Sequence, residues 1–202
     1  MKVKRFVEQD ATDFNVGDII EFTMSNGECV QAMAVKKLNV GTLFCFVNCL
    51  TDRYPMNDSD TNDGGYLSSK LRTIINSKVI SDFPDEIKRY LVKLSNGDYL
   101  RIPTEKEIFG KNKYGGVEAD DIEQWEPMKN CNNRVSFGGV EGYCECYWCQ
   151  NKKTGRSDCF CSVTSDGRTY NNLASYTHGV RPVFVLNLKS NSTTEQEGIV
   201  YE

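Results

Sequence analysis

Residues 142–188 read GYCECYWCQNKKTGRSDCFCSVTSDGRTYNNLASYTHGVRPVFVLNL. The apolar run near the end of this stretch, Pro182–Leu186, predicts a buried strand. The residues before the run are rich in Tyr, Asn, Ser, Thr, Asp and Cys and contain few aliphatic side chains. Tyrosine provides a large, rigid contact area, while serine, asparagine and glycine provide adaptable hydrogen bonds. This composition is typical of a recognition surface that is enclosed by core strands.

Alternation within short strands divides the side chains of this stretch into two groups. Trp148 and Phe160 are predicted to point into the core, and Arg181 is predicted to be a buried guanidinium that satisfies loop carbonyl groups. The polar and aromatic residues of this stretch are predicted to be exposed together on one face, because they fall between apolar strands whose own faces are committed to the core. Exposed tyrosine and arginine are the residue types that often dominate binding surfaces. These candidate ligand-binding residues are Tyr143, Glu145, Tyr147, Gln150, Asn151, Arg156, Asp158, Tyr170, Asn171, Asn172 and Tyr176.

The N-terminal part of the chain predicts a β-meander. Strand patterns cover residues 19–22, 29–38 and 42–48, and the dipeptide Asn26-Gly27 favours a tight hairpin turn between the first two. The third pattern is apolar on both faces, so Cys45 within it and Cys49 just after it are interpreted as core residues. The segment is therefore predicted to be a buried meander.

Three helices are predicted between the meander and residue 142. Residues 68–76 have a serine cap and apolar residues at helical spacing, and residues 84–92 begin with proline and acidic residues. Residues 102–110 form a shorter helix, with Thr104 as its N-cap and Gly110 at its end. Together with the strands, these helices predict an α+β domain with two main helices in its N-terminal half.

The polar segment 51–66 is predicted to be a loop. Its acidic residues Asp58, Asp60 and Asp63 are spaced as at the start of a calcium-binding loop, but the segment lacks the glutamate that closes such a loop. A solvated loop is therefore the preferred interpretation.

Composition restricts the classes of function. The chain has 202 residues, 39% of them hydrophobic, and a net charge of −4, which argues against a nucleic-acid partner. No segment has the run of roughly 20 apolar residues that a membrane-spanning helix needs, and the start of the chain has no apolar core of a signal peptide. The expected location is cytoplasmic or associated with a phage virion, without membrane insertion.

Three stretches together resemble one known family. Residues 66–76 (YLSSKLRTIIN) are similar to its S-x-L-R-x-x-L-N helix, and residues 102–110 (IPTEKEIFG) to its L-P-S-x-x-E-V-F-G helix. Tyr147-Trp148, followed by VTSDG at 163–167 and GVRPVF at 179–184, resembles its closing pattern of a Trp strand, a hairpin and a last strand. The family is an uncharacterised bacterial and phage domain with a C-type-lectin-like fold. It is related in shape to formylglycine-generating enzymes and similar to the variable proteins of diversity-generating retroelements.

The resemblance implies a C-type-lectin-like fold of short, twisted antiparallel strands with a loop-rich C-terminal half. It covers residues 14–188, so residues 1–13 are expected to be an N-terminal extension and residues 189–202 a flexible polar tail. Where family members commonly read W-W-L-R-S, this chain reads YWCQN at 147–151, so the fold transfers and the ligand does not. The protein is expected to be a non-enzymatic binding or display protein for a protein or glycan ligand. The most specific version of this expectation is that it is the diversified target protein of a retroelement.

Two alternatives come from other classes of protein. A cysteine-centred metalloprotein or enzyme would use the cluster Cys144, Cys146, Cys149, Cys159 and Cys161, with zinc as the metal that suits thiolates. Free or core cysteines are the preferred interpretation, so no cofactor is expected, and no copper-cysteine motif of the related enzymes matches this chain. His178 is the single histidine and is interpreted as a surface contact. The second alternative is a structural protein of a virion or cell surface.

Overall fold

The structure is a computed structural model that describes residues 13–138 and 142–189. The expected N-terminal extension and polar tail lie almost wholly outside this range. The strands, numbered along the chain, are β1 (Ile19–Thr23), β2 (Cys29–Leu38), β3 (Gly41–Phe46), β4 (Leu91–Val92), β5 (Phe137–Gly138), β6 (Tyr143–Cys144), β7 (Tyr147–Lys152), β8 (Cys159–Val163), β9 (Thr169–Leu173) and β10 (Val183–Leu186).

The main sheet has the strand order β1-β2-β3-β10-β4, and every neighbouring pair is antiparallel. The first three strands form the predicted meander, and the predicted turn at Asn26-Gly27 joins β1 to β2, where Gly27 has a φ of 88°. The last strand, β10, pairs with β3, so the two ends of the domain meet in one sheet.

Helical structure is short and lies mostly between β3 and β5. It comprises α1 (Lys70–Ile74), a π-helical turn (Ile75–Val79), α2 (Ile80–Asp82), α3 (Asp85–Lys88) and α4 (Glu105–Phe109), with 3-10 turns at Tyr66–Ser68, Glu126–Lys129 and Cys131–Arg134. The side chain of Ser69 caps α1 by accepting a hydrogen bond from the Arg72 backbone N–H (3.1 Å). The prediction for residues 68–76 is therefore confirmed.

The predicted helix at 84–92 is wrong in its second half. Helix α3 ends at Lys88, and Leu91 and Val92 pair with Leu186 and Val185 as strand β4. Edge pairing against the buried strand β10 gives these two apolar residues partners that a longer α3 would not provide. The description "two main helices" thus fits only the continuous helical stretch 70–82.

Helix α4 is capped as predicted. Thr104 and Glu107 form a reciprocal capping box, in which the Thr104 hydroxyl accepts from the Glu107 N–H and the Glu107 carboxylate accepts from the Thr104 N–H. Gly110 ends the helix in the left-handed conformation with a φ of 73°. This helix holds its carboxylate side chains in fixed positions.

Both faces of the central strands β3 and β10 of the main sheet are buried. In β10, Phe184 and Leu186 belong to a phenylalanine-rich core, while Val183 and Val185 face a second core on the opposite side. The rings of Phe44 and Phe184 stack in the first core with centroids 5.7 Å apart. A strand covered on both faces has the continuous apolar sequence that predicted β10.

A smaller antiparallel sheet, β7-β8-β9, lies between these two cores. Trp148 and Phe160 are fully buried in the phenylalanine-rich core, which confirms the prediction for both. Their strand neighbours Tyr147 and Cys161 belong to the second core. The domain is therefore a mixed α and β fold, rich in antiparallel strands, and the polar stretch is built around this smaller sheet.

As predicted, Arg181 is buried and its guanidinium satisfies backbone carbonyl groups. It also links the two sheets through Phe46 and Tyr147. Its guanidinium is buried and donates hydrogen bonds to the carbonyl of Phe46 (2.9 Å), the carbonyl of Asn133 (3.1 Å) and the hydroxyl of Tyr147 (3.1 Å). Burial is tolerable because charge-assisted hydrogen bonds replace its hydration.

Candidate functional site

A polar cleft of about 470 Å³ opens between the hairpin that joins β7 to β8 and the loop after α4. The hairpin provides most of one wall and the segment 116–118 provides the other. The lining residues are Asn62, Gly116, Val117, Glu118, Asn151, Lys152, Lys153, Thr154, Gly155 and Arg156.

Hydrogen bonds hold the two walls at a fixed separation. Gly115 forms a β-bridge with Lys153, and the Thr154 backbone N–H donates to the Tyr114 carbonyl (2.8 Å). The Asn151 amide group donates to the Glu118 carboxylate (2.9 Å), so one lining side chain reaches across to the other wall. The cleft is therefore preformed, as small-ligand sites usually are.

The buried carboxylate of Glu105 anchors the loop that carries the 116–118 wall. It accepts hydrogen bonds from the backbone N–H groups of Tyr114 (3.2 Å) and Gly115 (2.8 Å) and from the Thr169 hydroxyl. Glu105 has no exposed surface, and its own N–H donates to the Asn151 side chain (2.6 Å). Because a buried carboxylate needs several donors, this geometry fixes α4, β9 and the loop relative to one another.

The rim of the cleft is cationic. Lys152, Lys153 and Arg156 line it, and Arg156 forms a two-point ion pair with Asp158 at 2.8 and 2.6 Å. The Arg156 guanidinium lowers the pKa of Asp158 to about 2, chiefly through this hydrogen bond. The pair thus remains ionised at neutral pH and presents a fixed guanidinium at the rim.

A carboxylate oxygen on the opposite wall lacks a donor. Glu118 Oε2 accepts from the side chains of Asn112 (2.5 Å) and Asn151 (2.9 Å), whereas Oε1 is buried with no hydrogen-bond partner in residues 13–138 and 142–189. An unpaired buried acceptor is costly, and this oxygen lies inside the wall, where a ligand in the cleft does not reach it unless the wall moves.

Aromatic surface adjoins the cleft. Lys113 and Lys153 both lie 5.0 Å from the ring centroid of Tyr114, and the ring of Tyr170 packs edge-on against it at 6.4 Å. Tyr170 remains 50% exposed. Cations over an aromatic face and a half-exposed ring together form a surface on which a sugar ring or a ligand side chain could stack.

The structure divides the predicted ligand-binding residues among several places. Asn151 and Arg156 line the cleft, Asp158 is paired with Arg156, and Tyr170 contacts Tyr114. The Gln150 amide is committed to the Ile102 carbonyl (2.7 Å). The remaining half-exposed or exposed members are Tyr143, Glu145, Asn171, Asn172 and Tyr176, none of which lines the cleft.

The predicted exposure of Tyr147 is wrong. Its ring is fully buried, and its hydroxyl donates to the Arg134 carbonyl (2.9 Å) and accepts from Arg181 (3.1 Å). Burial raises the pKa of the Tyr147 hydroxyl well above its usual range. Alternation alone implied that a residue beside inward-facing Trp148 points to solvent, but β7 lies between two cores, so both of its faces are covered.

The interpretation of His178 as a surface contact is also wrong. The imidazole is buried against Trp148, with ring centroids 4.5 Å apart, and neither nitrogen has a hydrogen-bond partner among the described residues. Burial, with a smaller contribution from the Arg53 charge, lowers the pKa of His178 to about 4. The ring is therefore neutral at pH 7 and behaves as a core residue.

The cysteines all lie in the described part of the chain and carry free thiols. Within residues 13–138 and 142–189, no three His, Cys, Asp or Glu side chains are grouped as a metal site. Cys149, Cys159 and Cys161 are buried, whereas Cys144 is exposed and Cys146 partly exposed. Burial raises the pKa of Cys149 and of Cys161, so both are protonated and weakly nucleophilic at neutral pH.

The acidic loop residues considered for calcium point to different partners. Asp58 forms an ion pair with Lys70, while the Asp60 carboxylate accepts a hydrogen bond from the Ser175 backbone N–H (3.1 Å). These contacts describe a loop that docks onto the rest of the domain.

Sequence reasoning missed the carboxylates and lysines of the cleft. Glu105 lies in a segment predicted only as a capped helix, Glu118 lies outside every predicted element, and Lys152 and Lys153 resemble ordinary solvated charges. The available signal is Gly115, since a Cβ there would lie 2.7 Å from the Asn151 Cβ and only glycine allows the hairpin to approach so closely.

The helices in the described part of the chain are too short and too polar to cross a membrane. Comparisons of the chain with protein-family models, with curated proteins and with solved structures found no significant match.

Proposed function

We propose that this chain is a binding or display protein on a C-type-lectin-like scaffold, with a protein or glycan as ligand and the polar cleft as its contact site. More specifically, we propose that residues 142–176 are diversified by a retroelement. The observation that carries the binding proposal is the preformed cleft, which has a cationic rim on the hairpin wall and the Glu118 residue in the opposite wall.

The topology supports the scaffold part of the proposal. Strand β10 pairs with β3, so the main sheet contains strands from both the N-terminal and the C-terminal part of the domain. Between β3 and β10 along the chain, strands β7, β8 and β9 form a separate small sheet. Short antiparallel strands with a loop-rich C-terminal half are the arrangement that the sequence resemblance implies, and this topology is compatible with it.

The distribution of exposed side chains supports the site. Lys153 and Arg156 line the cleft with cationic donors, while Tyr170 adds a half-exposed ring next to its wall. Asn151 holds the wall in place through its hydrogen bonds to Glu105 and Glu118. The backbone under these side chains is fixed by the Glu105 hydrogen bonds. A rigid scaffold with variable-looking polar side chains fits recognition, because little conformational freedom is lost on binding.

The chemistry of the nearest reactive groups supports binding over catalysis. The thiols closest to the Glu105 carboxylate, Cys149 and Cys161, are protonated and have no exposed surface. His178 is neutral and buried against Trp148, away from the residues that line the cleft. None of these groups has the accessible, activated form that a nucleophile or a general base needs.

A paired screen tests the proposal. The wild-type domain and a Lys153→Ala/Arg156→Ala variant would be exposed to an array of defined oligosaccharides and to a library of displayed peptides. We expect the wild type to select oligosaccharides or peptides that the variant does not bind, since the variant loses contacts from the hairpin wall. Lys70→Ala is the matched control, because it breaks a comparable exposed ion pair, with Asp58, that does not line the cleft. Equal binding by wild type and double variant would contradict the cleft as the contact site.

The retroelement part has a separate test in the gene. Codons of the form AAY at asparagines of residues 142–176, a nearby near-copy of this segment and a reverse-transcriptase gene are expected together. If all three are missing, diversification is refuted while binding at the cleft can still be measured.

A further inference from the structure

We propose that Cys149 and Cys161 form a cross-strand disulfide when the protein folds in an oxidising environment, with a disulfide of the glutathione type as the oxidant. The proposal concerns a modification site in the small sheet and is independent of the ligand that the cleft binds.

The strand register brings the two cysteines together. Trp148 of β7 pairs with Ser162 of β8, and Cys149 and Cys161 are the next residues of the two antiparallel strands beyond that pair. Residues that face each other across antiparallel strands have Cα atoms roughly 4.5–5.5 Å apart, which lies within the range of about 4.4–6.8 Å that disulfides span. The register up to Trp148 therefore places the two cysteines near the separation that the bond needs.

The β-bulge after this point favours the same pairing. The register shifts so that Lys152 pairs with Phe160, and Cys161 is the single β8 residue that faces the bulged residues 149–151. Of these three, Gln150 donates to the Ile102 carbonyl and Asn151 donates to Glu118, so both side chains are committed elsewhere. Cys149 is left as the bulged side chain that shares a core with Cys161.

The two thiols also share one environment. Both side chains are fully buried in the second core, and each is on the same face of the small sheet as the neighbouring pair Tyr147 and Val163. The charge of Cys161 contributes to the raised pKa of Cys149, as expected of adjacent thiols. Other buried cysteines have different neighbours: Cys45 pairs with Met33 and Val183 in the main sheet, and Cys49 contacts the Ser136 hydroxyl at 3.1 Å.

The chemistry balances as two successive thiol–disulfide exchanges. The thiolate of one cysteine attacks oxidised glutathione, forming a mixed disulfide and releasing one glutathione thiolate. The second cysteine then attacks the protein sulfur of the mixed disulfide, which forms the S–S bond and releases the second glutathione. The two thiol protons and two electrons end on two molecules of reduced glutathione. Because both thiols are buried and protonated in the folded state, this exchange belongs to the folding reaction, when the strands are still open.

The experiment uses the full chain refolded from denaturant in a glutathione redox buffer, followed by mass mapping of peptides. A second chain has serine in place of the cysteines that are not buried, namely Cys29, Cys131, Cys144 and Cys146, so that exposed thiols do not compete. Both chains are expected to lose two hydrogens and to yield one cross-linked peptide pair that joins Cys149 to Cys161. The bond should raise the thermal midpoint by roughly 5–10 °C relative to the reduced chain, since it closes a short loop.

Single variants make the assignment specific. Cys149→Ala and Cys161→Ala are each expected to abolish the cross-link and the gain in thermal midpoint. Cys45→Ala, which removes an equally buried thiol from the main sheet, should leave both unchanged. The proposal is overturned if the oxidised chain keeps Cys149 and Cys161 as thiols, if either is linked to another cysteine, or if the serine-substituted chain refolds only under reducing conditions.

Discussion

His178 is a buried base whose stability contribution depends on pH. Its ordinary pKa of 6.5 falls to about 4 in the folded domain, so between these values the unfolded chain binds a proton that the folded chain does not. Protonation therefore favours unfolding, and stability is fully present above pH 6.5 and is lost as the pH falls toward 4. The charged groups near the ring, Arg53 and its ion-pair partner Glu145, do not provide a hydrogen bond to either ring nitrogen.

We predict that the free energy of unfolding falls by up to about 3 kcal/mol over this range through His178 alone, because each pKa unit corresponds to roughly 1.4 kcal/mol. Denaturant titrations at several pH values between 7 and about 4 measure this fall in the free energy of unfolding. His178→Phe, which keeps a ring against Trp148, should remove this dependence of stability on pH. The contribution of Asp158, whose pKa falls from 3.8 to about 2, is lost mainly below about pH 4 and so lies outside this range. Identical pH profiles for the two proteins would show that His178 is not held neutral.

At the same scale, the sequence predicted the residues whose role follows from polarity and strand position. Trp148, Phe160 and Arg181 lie where the alternating pattern and the cost of an unpaired charge require. Tyr147 and His178 could not be assigned in this way, because their polar atoms look equally suited to solvent and to a core partner. Their burial depends on a second core that is assembled from distant residues such as Trp125 and Val183.

Among the secondary-structure elements, those with local signals were predictable. The meander has alternating and continuous apolar runs with an Asn-Gly turn, and α4 has a capping box and a terminal glycine. Strand β4 has no such signal, since its two residues become a strand only by pairing with β10, some ninety positions later in the chain. The cleft was missed for the same reason, because its walls come from segments that are distant in sequence.

Helix α4 carries the prediction that belongs to this scale. Glu105→Gln should speed hydrogen exchange at the Tyr114 and Gly115 amides, because both donate to the carboxylate and an amide oxygen is a weaker acceptor. The loss of stability is expected to be about 1–3 kcal/mol, the usual cost of leaving buried donors poorly satisfied. Exchange followed by mass spectrometry or NMR gives the local effect, and denaturant unfolding gives the total.

Glu86→Gln is the matched control, since Glu86 is an exposed residue of α3 and its change should alter neither measurement. If the Tyr114 and Gly115 amides exchange at the wild-type rate in Glu105→Gln, the carboxylate does not anchor the loop, and the cleft wall is held by the Gly115–Lys153 bridge and the hydrogen bonds of Thr154 and Asn151.

Across the whole molecule, the polar stretch serves two purposes at once. Alternate residues of β7 and β8 fill the cores on either side of the small sheet, while the hairpin between these strands and the exposed side of β9 face solvent. Core packing fixes the backbone, so surface side chains can differ without changing the fold. The central claim is that folding and binding are carried by different residues of this one stretch.

Two tyrosines of the stretch provide the most direct measurement of that claim. Unfolding free energy, and binding to whichever oligosaccharide or peptide the wild type selects, would be measured for Tyr170→Ala and Tyr147→Ala. Tyr170→Ala is expected to change stability by less than about 1 kcal/mol, because its ring is half exposed, and to lose binding. Tyr147→Ala should cost roughly 3–5 kcal/mol, because it leaves a cavity in the second core and removes a partner of Arg181. A Tyr170→Ala domain that unfolds, or that binds as tightly as the wild type, would contradict the claim.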